Sequence, residues 1–227
     1  MRRFYKDVRV SADRGLLLDG KPVRTPKRAP LVAPTDALVA AIADEWRGQG
    51  EKVDPRTMPL TGLANAAIDI VAPDPAASAR GLAAYGESDL LCYRAADPPD
   101  LVARQDEQWN PLLAWARARY DVSFTVVTGI IHQPQPSETV ARLGQALDAF
   151  GFWHLAPLNP IITISGSLIL ALALAEAHIE PETAFDIAHL DELWQAEKWG
   201  EDHFAMQTRD AHRADFLQAA RFLALLD

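Results

Sequence analysis

The chain has 227 residues, enough for one large domain or two small ones around a buried core. Apolar residues make up 49% and charged residues 23%, a globular balance that excludes a disordered or collagen-like chain. The single cysteine, Cys92, excludes an internal disulfide, and the absence of a partner at ligand spacing excludes a cysteine-based zinc site. A lone thiol suits a reducing compartment.

The formal net charge of −9 is unevenly spread, +2 over residues 1–75 and −11 over the remainder, with +6 in the first thirty residues. The early cations Lys6, Arg9, Arg14, Lys21 and Arg24 stand singly between apolar residues. That is the pattern of a solvated sheet face, so no nucleic-acid partner is expected. Met1-Arg2-Arg3 leads directly into a strand-like segment, with no apolar leader and no transit-peptide composition. The most apolar run, Ile161 to Ala175, is interrupted by Thr163, Ser165, Gly166 and Ser167 and falls short of the ~20 residues a membrane span needs. We expect a buried core helix there, no membrane segment, and a soluble, cytoplasmic protein.

In chain order, Phe4–Val10 predicts a strand, and Asp19-Gly20 predicts a tight hairpin turn between apolar segments. A third short strand is expected near Leu31-Val32. Thr35 or Asp36 then caps a helix with Leu38, Val39, Ile42 and Trp46 on one stripe. Thr61 is a candidate cap for a second helix, stopped by Pro73 and Pro75. From about residue 76 the pattern is helical, with one β-rich island at Val122–Val127 that could return to the N-terminal sheet. Later helices are expected near 100–119, from Ser137, and at roughly 160–178, 181–199 and 204–226. The fold class is therefore α+β: an N-terminal α+β domain over residues 1–75 and a larger C-terminal helical domain over 76–227.

Catalytic signatures are weak. No G-x-G-x-x-G, P-loop or G-x-S-x-G sequence occurs, which leaves no expected nucleotide cofactor. Asp186, His189 and Glu192 repeat at helical spacing and could in principle form a metal-assisted hydrolytic site. A dinuclear carboxylate bundle would need two Glu-x-x-His helices and two further glutamates, and only one distorted copy is present. Solvated polar residues on a helix explain the triplet better, so no metal is expected.

The helix 181–199 is more informative. At 100° per residue, Ile187, Leu190 and Trp194 form a core-facing stripe, while Glu192, Gln195 and Trp199 share another side. Trp199, next to the helix-ending Gly200, either packs on the last helix or belongs to a partner-binding patch, since tryptophan beside polar groups suits an interface.

Several short segments, in order, carry a family resemblance: Phe4-Tyr5-Lys6; the run from Leu18 through Asp19-Gly20-Lys21-Pro22 to Pro26; Glu45-Trp46; Pro59-Leu60-Thr61; Asn65 to Asp69; and Glu192 to Gly200. Each is chemically plain, but their order and spacing resemble the assembly chaperones that bind the alpha subunit of the ATP synthase catalytic head, in their bacterial form. The resemblance spans nearly the whole chain. It implies a non-enzymatic, monomeric chaperone that shields the unassembled alpha subunit from aggregation by covering the surface the beta subunit later occupies. It further implies a partner-binding role for Glu192, Gln195, Trp199 and Gly200. The resemblance also leads us to expect a bacterial member, with neither a transit peptide nor a tail beyond Asp227.

Overall fold

The hairpin is built around two backbone exceptions. Asp19 and Gly20 adopt φ of 48° and 76°, a left-handed pair that closes a two-residue turn between β2 (Leu16–Leu18) and β3 (Lys21–Pro22). β1 (Val8–Val10) pairs antiparallel with β2, giving the sheet order β1-β2-β3. The Asp19 carboxylate accepts from the backbone N–H groups of Lys6 (3.0 Å) and Asp7 (2.8 Å), so the turn also fixes the chain entering β1. Near residue 31 no third strand forms; the chain makes only isolated bridges, Gly15 to Val32 and Arg24 to Pro30.

This computed structural model describes residues 2–227, and its class is α+β: a small three-stranded N-terminal sheet and a mostly helical remainder. Helix α1 (Asp36–Arg47) starts at Thr35, whose hydroxyl accepts from Leu38 N–H at 3.1 Å. Its stripe Leu38, Val39 and Ile42 is buried, and Trp46 is half-buried at its end. α2 (Pro59–Ala66) begins two residues before the expected cap, Thr61, and runs on into a wider π turn at Ala67–Val71.

The contacts group the chain into two units. The first takes the chain up to Pro75 together with Phe150–Pro157 and Gln218–Asp227. Its core joins Tyr5, Leu16, Leu18, Leu31, Leu38, Ile42 and Leu60 with Phe222, and Trp153, Leu225 and Leu226 pack on it. Those late aromatic and leucine residues explain why two distant segments group with the N-terminal part. Thr35 completes this attachment by donating its hydroxyl to the Leu225 carbonyl at 2.5 Å.

The second unit takes Ala76–Ala149 and Leu158–Leu217. It contains α3 (Pro75–Ala83, from its second residue), α4 (Pro99–Tyr120), α5 (Ser137–Asp148), most of α6 (Phe152–Ser165), α7 (Leu168–Ala175), α8 (Pro181–Ala188), α9 (Leu190–Trp199) and most of α10 (His203–Ala224). Trp109 of α4 is buried and donates its indole N–H to the Ile187 carbonyl at 3.0 Å. Here the β-rich island departs from expectation. Only Val127–Thr128 forms a strand, β5, and it pairs in parallel with β4 (Tyr93–Arg94) instead of returning to the N-terminal sheet. Side chains replace a ladder upstream. Gln135 accepts from the Thr125 N–H (2.9 Å) and donates to its carbonyl (2.8 Å), and Thr139 donates to the Ser123 carbonyl at 2.6 Å.

Two expected long helices are each broken. The run 160–178 divides into α6 and α7 at Gly166, where Ser167 caps α7 by accepting from Leu170 N–H. The run 181–199 divides into α8 and α9 at His189, whose backbone leaves the helical region (φ −106°, ψ 21°). No helix among the described residues is long and apolar enough to cross a membrane.

Candidate functional site

Helix α9 divides its polar residues between two duties. One set ties it to α4: Glu197 takes a two-pronged ion pair from Arg104 at 3.0 Å on both oxygens, and Lys198 reaches Asp100 at 2.8 Å. Trp194 is buried and donates its indole N–H to the same Asp100 at 3.2 Å. These partners hold the Asp100 and Glu197 carboxyls below the usual carboxylate range. The other set, Glu192, Gln195, Trp199 and Gly200, is left exposed.

That second set lines one groove of about 520 Å³ between the end of α9 and the start of α10. Gly200 makes the elbow, with φ of 88°, a conformation that strains any side-chain-bearing residue. Asp202 then caps α10 by accepting from the N–H groups of Phe204 (3.0 Å) and Ala205 (2.9 Å). The elbow presents two large aromatics to solvent, Trp199 at 75% and Phe204 at 76% exposure. Trp199 is anchored through an edge-on contact with Trp194, ring centres 5.5 Å apart. Trp199 therefore does not pack into the helical core.

Charge in the groove is acidic on balance. Glu192, Glu201 and Asp202 face a single arginine, Arg209, which pairs with Glu201 at 2.7 Å. Among the described residues Glu192 has no side-chain ion pair, and Arg213 is occupied by Glu182 and Asp186. Phe204 and Met206 also line the groove, and the sequence reading did not single them out. The available signal was a large apolar residue two positions after an Asp cap, where a first helical turn is normally polar.

The possible metal triplet does not assemble. Asp186 is bound by Arg213 at 2.9 Å. His189 is buried, stacks on Phe185 with ring centres 3.9 Å apart, and donates its Nδ1–H to the Phe185 carbonyl at 2.9 Å. Burial pushes its pKa below the ordinary histidine value. Among the described residues no three His, Cys, Asp or Glu side chains are placed to hold a metal ion.

The family-like segments of the N-terminal unit carry internal bonds. Glu45 accepts from the N–H groups of Leu60 (2.7 Å) and Thr61 (2.8 Å) and from the Thr61 hydroxyl, capping α2 from a distant helix. Asp69 accepts from the Thr25 hydroxyl at 2.6 Å and from Lys27 N–H at 2.8 Å. Each pairing joins two of the short segments, Glu45 with Pro59-Leu60-Thr61 and Asp69 with the run that holds Thr25.

The chain matches the family described as ATP12 chaperone protein over residues 2–117. Over its whole length it is similar to the crystal structure of Atp12 from Paracoccus denitrificans, at 38% identity and a TM-score of 0.92, with 98% of that chain covered. It is also similar to the Atu1473 protein from Agrobacterium tumefaciens, at 44% identity and a TM-score of 0.93, with 86% of that chain covered. The fold and these relatives define the class, a chaperone of small two-unit architecture. The chain belongs to the ATP12 chaperone family, the assembly factors that its ordered segments resemble.

Proposed function

We propose that this protein is a chaperone of ATP synthase assembly that binds the unassembled alpha subunit of the catalytic head and keeps it from aggregating. It acts as a monomer in the cytoplasm and catalyses no reaction. Contact is made through the α9–α10 elbow, with Trp199 and Gly200 supplying the apolar seat and Glu192 and Gln195 its polar rim.

The observation that carries this reading is the elbow itself. It combines two exposed aromatics, Trp199 and Phe204, with an exposed carboxylate, Glu192, that forms no ion pair among the described residues, all on one groove. Exposed tryptophan and phenylalanine give contact area at low conformational cost. An acidic rim adds steering and specificity while leaving the contact reversible, as a client that must later be released requires.

Co-expression with the isolated alpha subunit tests the proposal. The expected result is a soluble alpha subunit that co-elutes with the chaperone at one to one and is absent from aggregates. An alpha subunit that stays insoluble, or that is soluble without co-eluting, overturns it.

A further inference from the structure

The N-terminal unit has a second concave surface, of about 300 Å³, which shares no residue with the client-binding set named above. That volume is at the small end of ligand-sized clefts and suits one bulky side chain. Its buried or half-buried part is Tyr5, Leu18, Val23 and Trp46, and its exposed part includes Phe4, Lys21 and Arg24. Three aromatic rings meet there. Tyr5 lies 5.4 Å edge-on to Phe4 and 5.5 Å from Trp46, and its hydroxyl donates to the Trp46 carbonyl at 2.7 Å. Tyr5 and Trp46 are thereby fixed, whereas Phe4 remains 62% exposed, which is unusual for a phenylalanine beside a core.

The Trp46 indole N–H, buried and without an acceptor among the described residues, gives a probe of this surface. Its rim indicates what would occupy it. The rim is cationic. Among the described residues neither Lys21 nor Arg24 forms an ion pair; Lys21 acts on Asp19 only at longer range, and Arg24 donates to the Arg28 carbonyl at 2.8 Å. The one acid on the surface, Asp19, is turned to the Lys6 and Asp7 N–H groups.

We propose that this surface docks an acidic protein segment carrying one aromatic side chain. The ring would seat among Phe4, Tyr5 and Trp46, and flanking carboxylates would meet Lys21 and Arg24. This site is separate from the α9–α10 elbow and does not depend on the alpha-subunit reading.

The test titrates the full-length 15N-labelled protein with the peptide acetyl-Glu-Asp-Phe-Asp-Glu-amide at constant ionic strength, following the Trp46 indole N–H resonance. A Trp46→Phe sample assigns that resonance by its loss. The expected result is a saturable shift at millimolar peptide. Replacing the peptide phenylalanine by alanine, or its acids by lysines, weakens binding at least tenfold. The Lys21→Gln/Arg24→Gln variant, whose remaining spectrum reports an intact fold, loses a similar factor. No saturable shift overturns the proposal, as does equal binding by the lysine or alanine peptide. The same shift produced by inorganic phosphate alone overturns it as well, since the surface would then be a general anion site.

Discussion

The Ser167 hydroxyl lies 2.8 and 3.0 Å from the two carboxylate oxygens of Asp89, a residue 78 positions earlier and fully buried. Asp89 also accepts from the N–H groups of Leu91 and Ile169, both at 3.0 Å, so it closes the start of α7 beneath the break at Gly166. Ser165-Gly166-Ser167, which interrupts the apolar run, thus marks a capped helix start.

This buried carboxyl makes stability depend on pH. Burial pushes the Asp89 pKa up to about 6, against the opposing pull of its donors. The folded state therefore holds the proton more tightly than the unfolded state, whose carboxyl titrates near 4. Its contribution is fully present below about pH 4 and is lost as pH rises through about 6. Asp89→Asn should be less stable than wild type, since its amide turns a donor toward donors. The gap between the two, read from urea unfolding, should narrow by up to about 3 kcal/mol between pH 4 and pH 7. A gap that widens with pH would mean that the donor set outweighs burial.

Gly20 offers a cleaner backbone test. A Cβ added at this position would meet no atom within 4 Å, so a substitution brings strain but no clash. Gly20→Val should cost about 1–2 kcal/mol from the left-handed conformation, with Gly20→Asn milder. Thermal unfolding measures both. Equal stability of wild type and the valine variant would contradict the turn as described.

Trp46→Arg addresses the core of the N-terminal unit. The indole contacts Tyr5 and packs against the cluster that includes Leu38 and Ile42. Losing a large ring costs about 3–5 kcal/mol, and a guanidinium placed against that cluster adds a desolvation cost. Insoluble or poorly folded protein is the expected outcome on expression. A soluble variant melting within a degree or two of wild type would show that the ring contributes little.

Local chemistry was legible in the sequence where it is self-contained. Asp19-Gly20 and the Leu38–Ile42 stripe depend only on neighbours and appear in the structure as read, and of the two caps left open, Thr35 or Asp36, the structure uses Thr35. Features set by distant partners were not legible. The break at His189 comes with a ring that stacks on Phe185 and bonds its carbonyl, a contact periodicity does not encode. The Val122–Val127 island looked like a sheet strand because β-branched residues are shared by strands and by segments held through side chains, as Gln135 and Thr139 hold this one. On α9 the wheel separated Glu192 and Trp199 from Trp194 because each half of the broken helix keeps its own period. Phe204 escaped notice because its exposure follows from the Gly200 elbow, not from its position in a pattern.

Glu192 separates folding from binding. It is exposed and forms no ion pair among the described residues, and two arginines of α10 are engaged elsewhere, Arg209 with Glu201 and Arg213 with Glu182 and Asp186. Reversing its charge should therefore leave stability within about 0.5 kcal/mol of wild type, apart from a small change at His189, whose positive form Glu192 favours. If the elbow meets the alpha subunit, Glu192→Lys puts a cation where the client expects an acid, and capture should weaken by about a factor of ten or more. Glu192→Gln keeps the shape and should show a smaller loss. Measured side by side, melting temperature and alpha-subunit co-elution distinguish the outcomes. A variant that melts normally but loses the client supports the elbow as the binding site. One that melts normally and retains full client protection removes Glu192 from the site. Trp199→Ala then decides whether the exposed ring acts without its acidic neighbour, because its 75% exposure limits the stability cost to the edge-on contact with Trp194, about 0.5–1.5 kcal/mol, and a larger loss of client capture reports binding.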